Sequence, residues 1–249
     1  MMKLGSLFDG SGGFPLAGAL FGIEPVWASE IEPYPIRVTK ARFPNMEHLG
    51  DVTKINGAEI EPVDIITFGS PCQDLSVAGK QAGIHDGERS NLFFEAIRII
   101  KEMRDHDRDI GRPDELLRPR FAVWENVPGA FSSNKGQDFR SVLEAFCFVG
   151  EGSDVSVPEP PKGKWKPAGC IVGDGYSIAW RVYDAQFWGV PQRRKRIYLI
   201  ADFGSERAGE ILFESEGVCW NPETSSKAWE NLAGYVAGCP DGGCLCRWM

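Results

Sequence analysis

Residues 3–23, KLGSLFDGSGGFPLAGALFGI, change character twice, and the fold class follows from the order in which they do so. KLGSLF is a compact apolar run, DGSGGF is a glycine turn, and PLAGALFGI repeats its apolar positions at helical spacing. Strand, tight turn and helix open an α/β fold. Reading on, PVWASE (25–30) is a second strand ending on acid, DVTKI (51–55) a third, and DIITFGS (64–70) a β-rich fourth, bounded by Gly69 and Pro71. From Ser90 to Arg104, Leu92, Phe93, Ala96, Ile97, Ile100 and Met103 recur on one helical face. RFAVWENV (120–127) reads as a fifth strand, QDFRSVLEAFCFV (137–149) as a helix, and YSIAWRVYDA (176–185) and RIYLIADF (196–203) as strands six and seven. Strands alternating with helices predict a doubly wound, mostly parallel, seven-stranded sheet of Rossmann-like type over residues 1–203. Residues 150–175 lack periodicity and are rich in Gly and Pro, which predicts a long surface loop. Its KGKWK could bring lysines and a tryptophan to a phosphate backbone, with a solvated loop as the alternative.

Bulk properties bound the partners. The chain has 249 residues, 43% hydrophobic and 25% charged, enough for one full core and unlike a disordered or fibrous sequence. Its net charge of −8 argues against general adhesion to nucleic acid, though not against a local basic patch. Seven cysteines, an odd number at irregular spacing, read as reduced thiols. No run approaches the ~18 apolar residues of a membrane span, and MMKLGSLFDG reaches its glycine turn too early for a signal peptide, so a cytoplasmic protein without a membrane partner is expected. The C-terminal Cys239, Cys244 and Cys246 lack a nearby histidine and have poor zinc spacing, so no metal is expected.

In a doubly wound sheet, ligands bind beyond the carboxyl ends of the strands. Gly10, Gly12 and Gly13 allow close approach to a ligand at a helix amino terminus, although their spacing is not that of a dinucleotide pyrophosphate loop. Glu30, closing strand two, can accept both hydroxyls of a ribose, and Asp51 can accept from an adenine amino group, so a nucleoside-containing ligand is one reading and solvated strand-end acids the other. Cys72 follows Pro71 at the mouth of strand four, placed either as a nucleophile or as a buried structural thiol. Glu125 in WENVP follows FAVW; partial burial would raise its pKa and suit it to proton donation, and pairing with an arginine is the plain alternative. QRRKR (192–196) is a run of cations in an acidic chain, suited to phosphates or an electron-rich base edge if not merely solvated.

Taken together and in this order, SLFDGSGGF, SEIE, GDVT, GSPCQDLS, WENV and QRRKR resemble the first, second, third, fourth, sixth and eighth motifs of the DNA (cytosine-5) methyltransferase family, over roughly residues 4–203. The resemblance implies that Phe8, Gly10, Gly12, Gly13, Glu30, Ile31, Asp51 and Pro71 border S-adenosylmethionine, with Ile31 against the adenine. It implies Cys72 as the nucleophile toward carbon 6 of cytosine, Glu125 as the acid toward ring nitrogen 3, Arg196 as a donor to the cytosine oxygen, Arg194 as support for the cysteine and Asn126 as the residue that positions its loop. Gln73, Ser76 and Arg89 would belong to the substrate side of the loop that Pro71 and Gln73 shape. The substrate would be double-stranded DNA with the cytosine turned out of the helix, in a protein of bacterial or phage origin.

Two departures stand out. Ser6 stands where the family usually has an acid. More consequentially, residues 204–249 contain neither a recognition region, which by ordinary domain sizes needs ~100 residues, nor the family's last two motifs. A second polypeptide carrying that region is therefore expected. A truncated, inactive remnant and a tRNA cytosine-5 methyltransferase are the rival readings.

Overall fold

The computed structural model describes residues 1–71, 92–153, 155–189, 191–213 and 247–248. Strands are β1 (Lys3–Leu7), β2 (Glu24–Ser29), β3 (Glu47–His48), β4 (Ile65–Phe68), β5 (Phe121–Asn126), β6 (Ala168–Val172), β7 (Ser177–Asp184), β8 (Lys195–Asp202) and β9 (Arg247–Trp248). Helices are α1 (Gly13–Leu20), α2 (Pro33–Arg42), α3 (Leu92–Asp109), α4 (Gln137–Glu151) and α5 (Ala208–Leu212). The strands form one sheet in the order β3-β2-β1-β4-β5-β8-β7-β6-β9.

The expectation of an α/β sheet holds, but the described sheet has nine strands and only half of it is parallel. Pairings from β3 through β5 run parallel, and those from β5 through β9 run antiparallel. The antiparallel half arises because β7 and β8 are joined by a short hairpin connection, which cannot make the crossover that parallel strands need. DVTKI is not a strand. Asp51 caps a 3-10 turn at Val52–Lys54 by accepting from the Thr53 amide, and the edge pairing goes instead to Glu47–His48. The segment 150–175 contains β6, and Trp165 is buried, donating from Nε1 to the Gly136 carbonyl at 2.8 Å. KGKWK therefore presents exposed lysines while its tryptophan belongs to the core.

The amphipathic stripes of α3 and α4 bury Phe93, Ile99, Ile100, Phe139, Val142 and Phe146 against one face of the sheet, with Phe68 and Trp124 beneath them. Rings meet edge-on at spacings of 5.9 Å (Phe93–Trp124) and 4.8 Å (Phe131–Phe139), the geometry that aromatic quadrupoles favour. Each such ring contributes roughly 2–3 kcal/mol by leaving water. On the opposite face α1 lies over Leu4 through Gly18, and α5 covers Ala179 beside Tyr183 and Tyr198. Because Ala122 and Trp124 of β5 point toward α3 and α4, the alternation of a strand sends Glu125 to the less covered side.

Candidate active site

Two groups of residues gather at the carboxyl ends of β1, β4 and β5. The first is built on the glycine turn. Phe8 has φ 54°, a conformation that costs a residue with a side chain about 1 kcal/mol or more, and Gly10 and Gly12 follow at 54° and 80°. Glu30 holds this turn: Oε2 accepts from the Gly10 amide at 2.8 Å, and Oε1 accepts from Ile31 and Glu32 amides at 2.8 and 3.0 Å. Glu30 thus closes the loop as well as lying at the expected place for a ligand acid. Gly12 begins α1 without a side-chain cap, so that helix start keeps free amide donors. A side chain at Gly12 would meet Thr39 Cγ2 at 2.9 Å, so the close approach itself requires glycine. Gly13 is exposed beside it, and Ile31 is 67% exposed on the same rim. Asp51 Oδ1 accepts from the Thr53 amide and hydroxyl at 3.0 and 2.9 Å, and these bonds hold its carboxyl below the usual carboxylate range; Oδ2 has no partner among the described residues.

Asp9 was not singled out from the sequence. Its carboxylate is buried, and neither oxygen has a hydrogen-bond partner among the described residues. Burial pushes this carboxyl up to about 6; the Ser6 hydroxyl opposes the rise and the Glu30 charge adds to it. The available signal was an aspartate between a strand and glycines, a pattern equally compatible with an ordinary exposed turn residue.

The second group joins β4, β5 and β8. Trp124 donates from Nε1 to Ser70 Oγ at 3.1 Å, Asn126 donates from Nδ2 to the Ser70 carbonyl at 3.4 Å, and Asn126 Oδ1 takes the Val127 amide at 2.7 Å. These bonds fix the chain that leads through exposed Pro71 to Cys72. Glu125 is partly buried, its side chain 24% exposed, and it is ion-paired with Arg196 Nε at 2.8 Å, the plain alternative offered by the sequence. Gly69 leaves room for it, since a Cβ there would sit 3.1 Å from Glu125 Oε2. Tyr198 is the cross-strand partner of Glu125, and burial first, then the Glu125 charge, raise its phenol. Arg194 closes the β7–β8 connection through its backbone, its amide donating to Asp184 Oδ1 at 3.1 Å, while its side chain is exposed. Cys72, Gln73, Ser76 and Arg89 lie outside the described residues, as do the C-terminal cysteines. No cluster of His, Cys, Asp and Glu suited to a metal occurs among the described residues, and no described helix is long and apolar enough to cross a membrane.

Open amide donors and carboxylates at one end of the sheet, with a carboxylate–guanidinium pair next to the strand that leads to a cysteine, are groups suited to holding a polar ligand. Known proteins resemble this chain as follows. The chain is 33% identical over 261 aligned residues to a protein of Escherichia phage P1 named DNA N-6-adenine-methyltransferase, a match covering 94% of this chain and 33% of that one. It is 30% identical to the type II methyltransferase M.NgoBV of Neisseria gonorrhoeae (77% and 37%) and 32% identical to M1.ScrFI of Lactococcus lactis (80% and 41%). The chain spans about a third to two fifths of these relatives' lengths. A prophage-encoded DNA modification methyltransferase of E. coli shares the fold at a TM-score of 0.56 and 21% identity, covering 97% of this chain and 56% of that one. The Dnmt2 methyltransferase of S. pombe does so at 0.52 and 18%, covering 81% and 51%. The sequence profile described as C-5 cytosine-specific DNA methylase matches residues 2–156 and 172–216, and the chain belongs to that family.

Proposed function

We propose that this chain transfers a methyl group from S-adenosylmethionine to carbon 5 of a cytosine in DNA, with Cys72 as the covalent nucleophile. The observation that supports it most is the Glu125–Arg196 pair at 2.8 Å, set beside Gly69 at the end of the strand that leads to Cys72. The residues of the glycine turn suit the cofactor: the open amides at the start of α1, the Glu30 carboxylate and Asp51 Oδ2 supply donors and acceptors around it. Phe8, Gly10, Gly13, Ile31 and Pro71 would complete that border. When bound, S-adenosylmethionine supplies an activated methyl group on a sulfonium cation.

The chain's own residues prepare the base. The Cys72 thiolate adds to carbon 6 while Glu125 gives a proton to ring nitrogen 3, which turns carbon 5 into an enamine nucleophile able to take the methyl group. Arg196 donates toward the cytosine oxygen and orients Glu125 from the same side, because β8 runs antiparallel to β5 and places the two side chains on one face. Asn126 holds the backbone at Ser70, and with it the entry to the Cys72 loop, where Gln73, Ser76 and Arg89 would face the substrate. Loss of the carbon-5 proton then expels the thiol. The base must leave the duplex for carbon 6 to be reached. Target choice would reside in a recognition region on a second polypeptide.

The experiment is to incubate the chain with S-adenosylmethionine labelled in the methyl group and DNA, alone and with the product of a neighbouring reading frame, and to hydrolyse the DNA to nucleosides. Label in 5-methylcytosine is the expected outcome. A second reading is a folded, inactive methyltransferase remnant that transfers nothing itself. Label absent from cytosine under every condition would favour it. Transfer to tRNA cytosine but not to DNA would select the RNA branch instead.

A further inference from the structure

The β7–β8 connection carries two adjacent exposed aromatic residues for which the proposed chemistry has no use. Phe187 is 49% exposed and Trp188 51%. Their turn is built rather than loose. Buried Asp184 accepts from Gln186 Nε2 at 2.7 Å and from the Arg194 amide at 3.1 Å, and the Ala185 amide donates to the Arg194 carbonyl at 3.0 Å. The connection is therefore pinned at its neck, with Trp188 donating its own amide to Ala185 at 3.0 Å. One edge of the indole rests on Tyr183 at 5.4 Å and 78°, and Tyr183 meets Tyr198 at 5.9 Å. Tyr198 is the cross-strand partner of Glu125. Two ring spacings and one cross-strand pair separate the indole from that carboxylate, a reach on the order of 15 Å. At ~3.4 Å per nucleotide along a strand, that is a few nucleotides from the target base.

Charge identifies what this surface meets. Arg193 and Lys195 are exposed and have no ion-pair partner among the described residues, while the whole chain carries a net charge of −8. Exposed rings beside unpaired cations are how a strand with unstacked bases is held: rings take base faces and cations take phosphates.

We propose that Phe187 and Trp188, with Arg193 and Lys195, form a DNA-contacting surface of this chain, the Trp188 indole stacking on an unstacked base that flanks the target cytosine. It rests on the reading that DNA is the substrate. It gives the catalytic part a hold on distorted DNA of its own, without sequence preference, since every base has a face to stack.

The test is the affinity of the full chain for a fluorescent duplex containing an unpaired cytosine with unpaired neighbours, read by anisotropy at several salt concentrations. Wild type is expected to bind; Trp188→Ala should weaken binding about 5- to 160-fold, the loss expected for one stacked base. Trp188→Phe should recover most of it, which a merely structural role for the ring would not demand if both variants melt like wild type. Arg193→Ala and Lys195→Ala should each reduce the salt slope by about one. Unchanged binding by Trp188→Ala, or no DNA binding by wild type, overturns the proposal, as does a Trp188→Ala effect confined to association with a second polypeptide. Binding is measured without methyl transfer, so loss of the methylation reading and loss of this one are separate results.

Discussion

At the scale of single residues the site is defined by carboxylates in three different environments. Asp51 is held ionised by the Thr53 donors, Glu125 is matched with Arg196, and Asp9 is buried without a partner. Asp9 has a measurable consequence. Its folded-state value of about 6 lies above its ordinary 3.8, so between these two pH values the folded protein holds a proton that the unfolded chain has lost, and stability falls as pH rises through that window. The difference amounts to about 2–3 kcal/mol above pH 6. Asp9→Asn should therefore flatten the pH dependence: thermal melts from pH 4 to 7.5 should show wild type losing several degrees relative to the variant, mostly between pH 4 and 6.5. Parallel curves for the two proteins would show that Asp9 is not the buried acid described. Before folding, nothing distinguishes Asp9 from any turn aspartate, because its environment is made by α2 and β2 closing over it. Glu125 was legible as a strand-end acid, but its partner was not, since pairing with Arg196 requires knowing that β8 returns antiparallel beside β5.

At the scale of elements, the connection from β1 to α1 holds the proposed cofactor site together. Gly12 sits at φ 80° with Thr39 of α2 almost against it, so any side chain must strain the backbone and push α2. Gly12→Ala is expected to cost roughly 1–3 kcal/mol of stability and to weaken binding of S-adenosylmethionine, read by calorimetry, by tenfold or more. Unchanged affinity would mean that the conformation of this turn does not govern cofactor binding. These elements could be read from sequence because strand, glycine turn and helix are local patterns. Where the structure differs, a side-chain bond or a distant partner decides. DVTKI reads as a short strand, yet the Asp51 carboxylate, accepting from the Thr53 amide, draws it into a 3-10 turn. Residues 168–172 carry no strong period of their own, and β6 forms because β7 offers an edge to pair with. Trp165 looked like a surface ring among lysines, but Gly136 leaves space for its indole and Phe139 and Trp180 enclose it.

At the scale of the whole molecule, the proposed function divides the sheet into a parallel half that would bind the cofactor and an antiparallel half that completes the reacting end. The parallel strands β1, β2 and β4 set the glycine turn, Glu30 and the entry to Cys72 along one end of the sheet, while the antiparallel return of β8 brings Arg196 to Glu125 and the β7–β8 connection to the rim. That division could be inferred only in part from the sequence, because direction of pairing is not written in a strand's composition. The central claim is that Cys72 attacks cytosine. Its most direct test uses DNA carrying 5-fluorocytosine opposite a mismatch, where the base is already loosened and little recognition is needed to turn it out. Fluorine cannot leave as the proton does, so with S-adenosylmethionine present an active chain stays attached to the DNA. The expected result is a denaturation-resistant adduct with wild type, alone or with the product of a neighbouring reading frame, and none with Cys72→Ala. An adduct that persists in Cys72→Ala, or none with wild type while both cofactor and DNA bind, would contradict it.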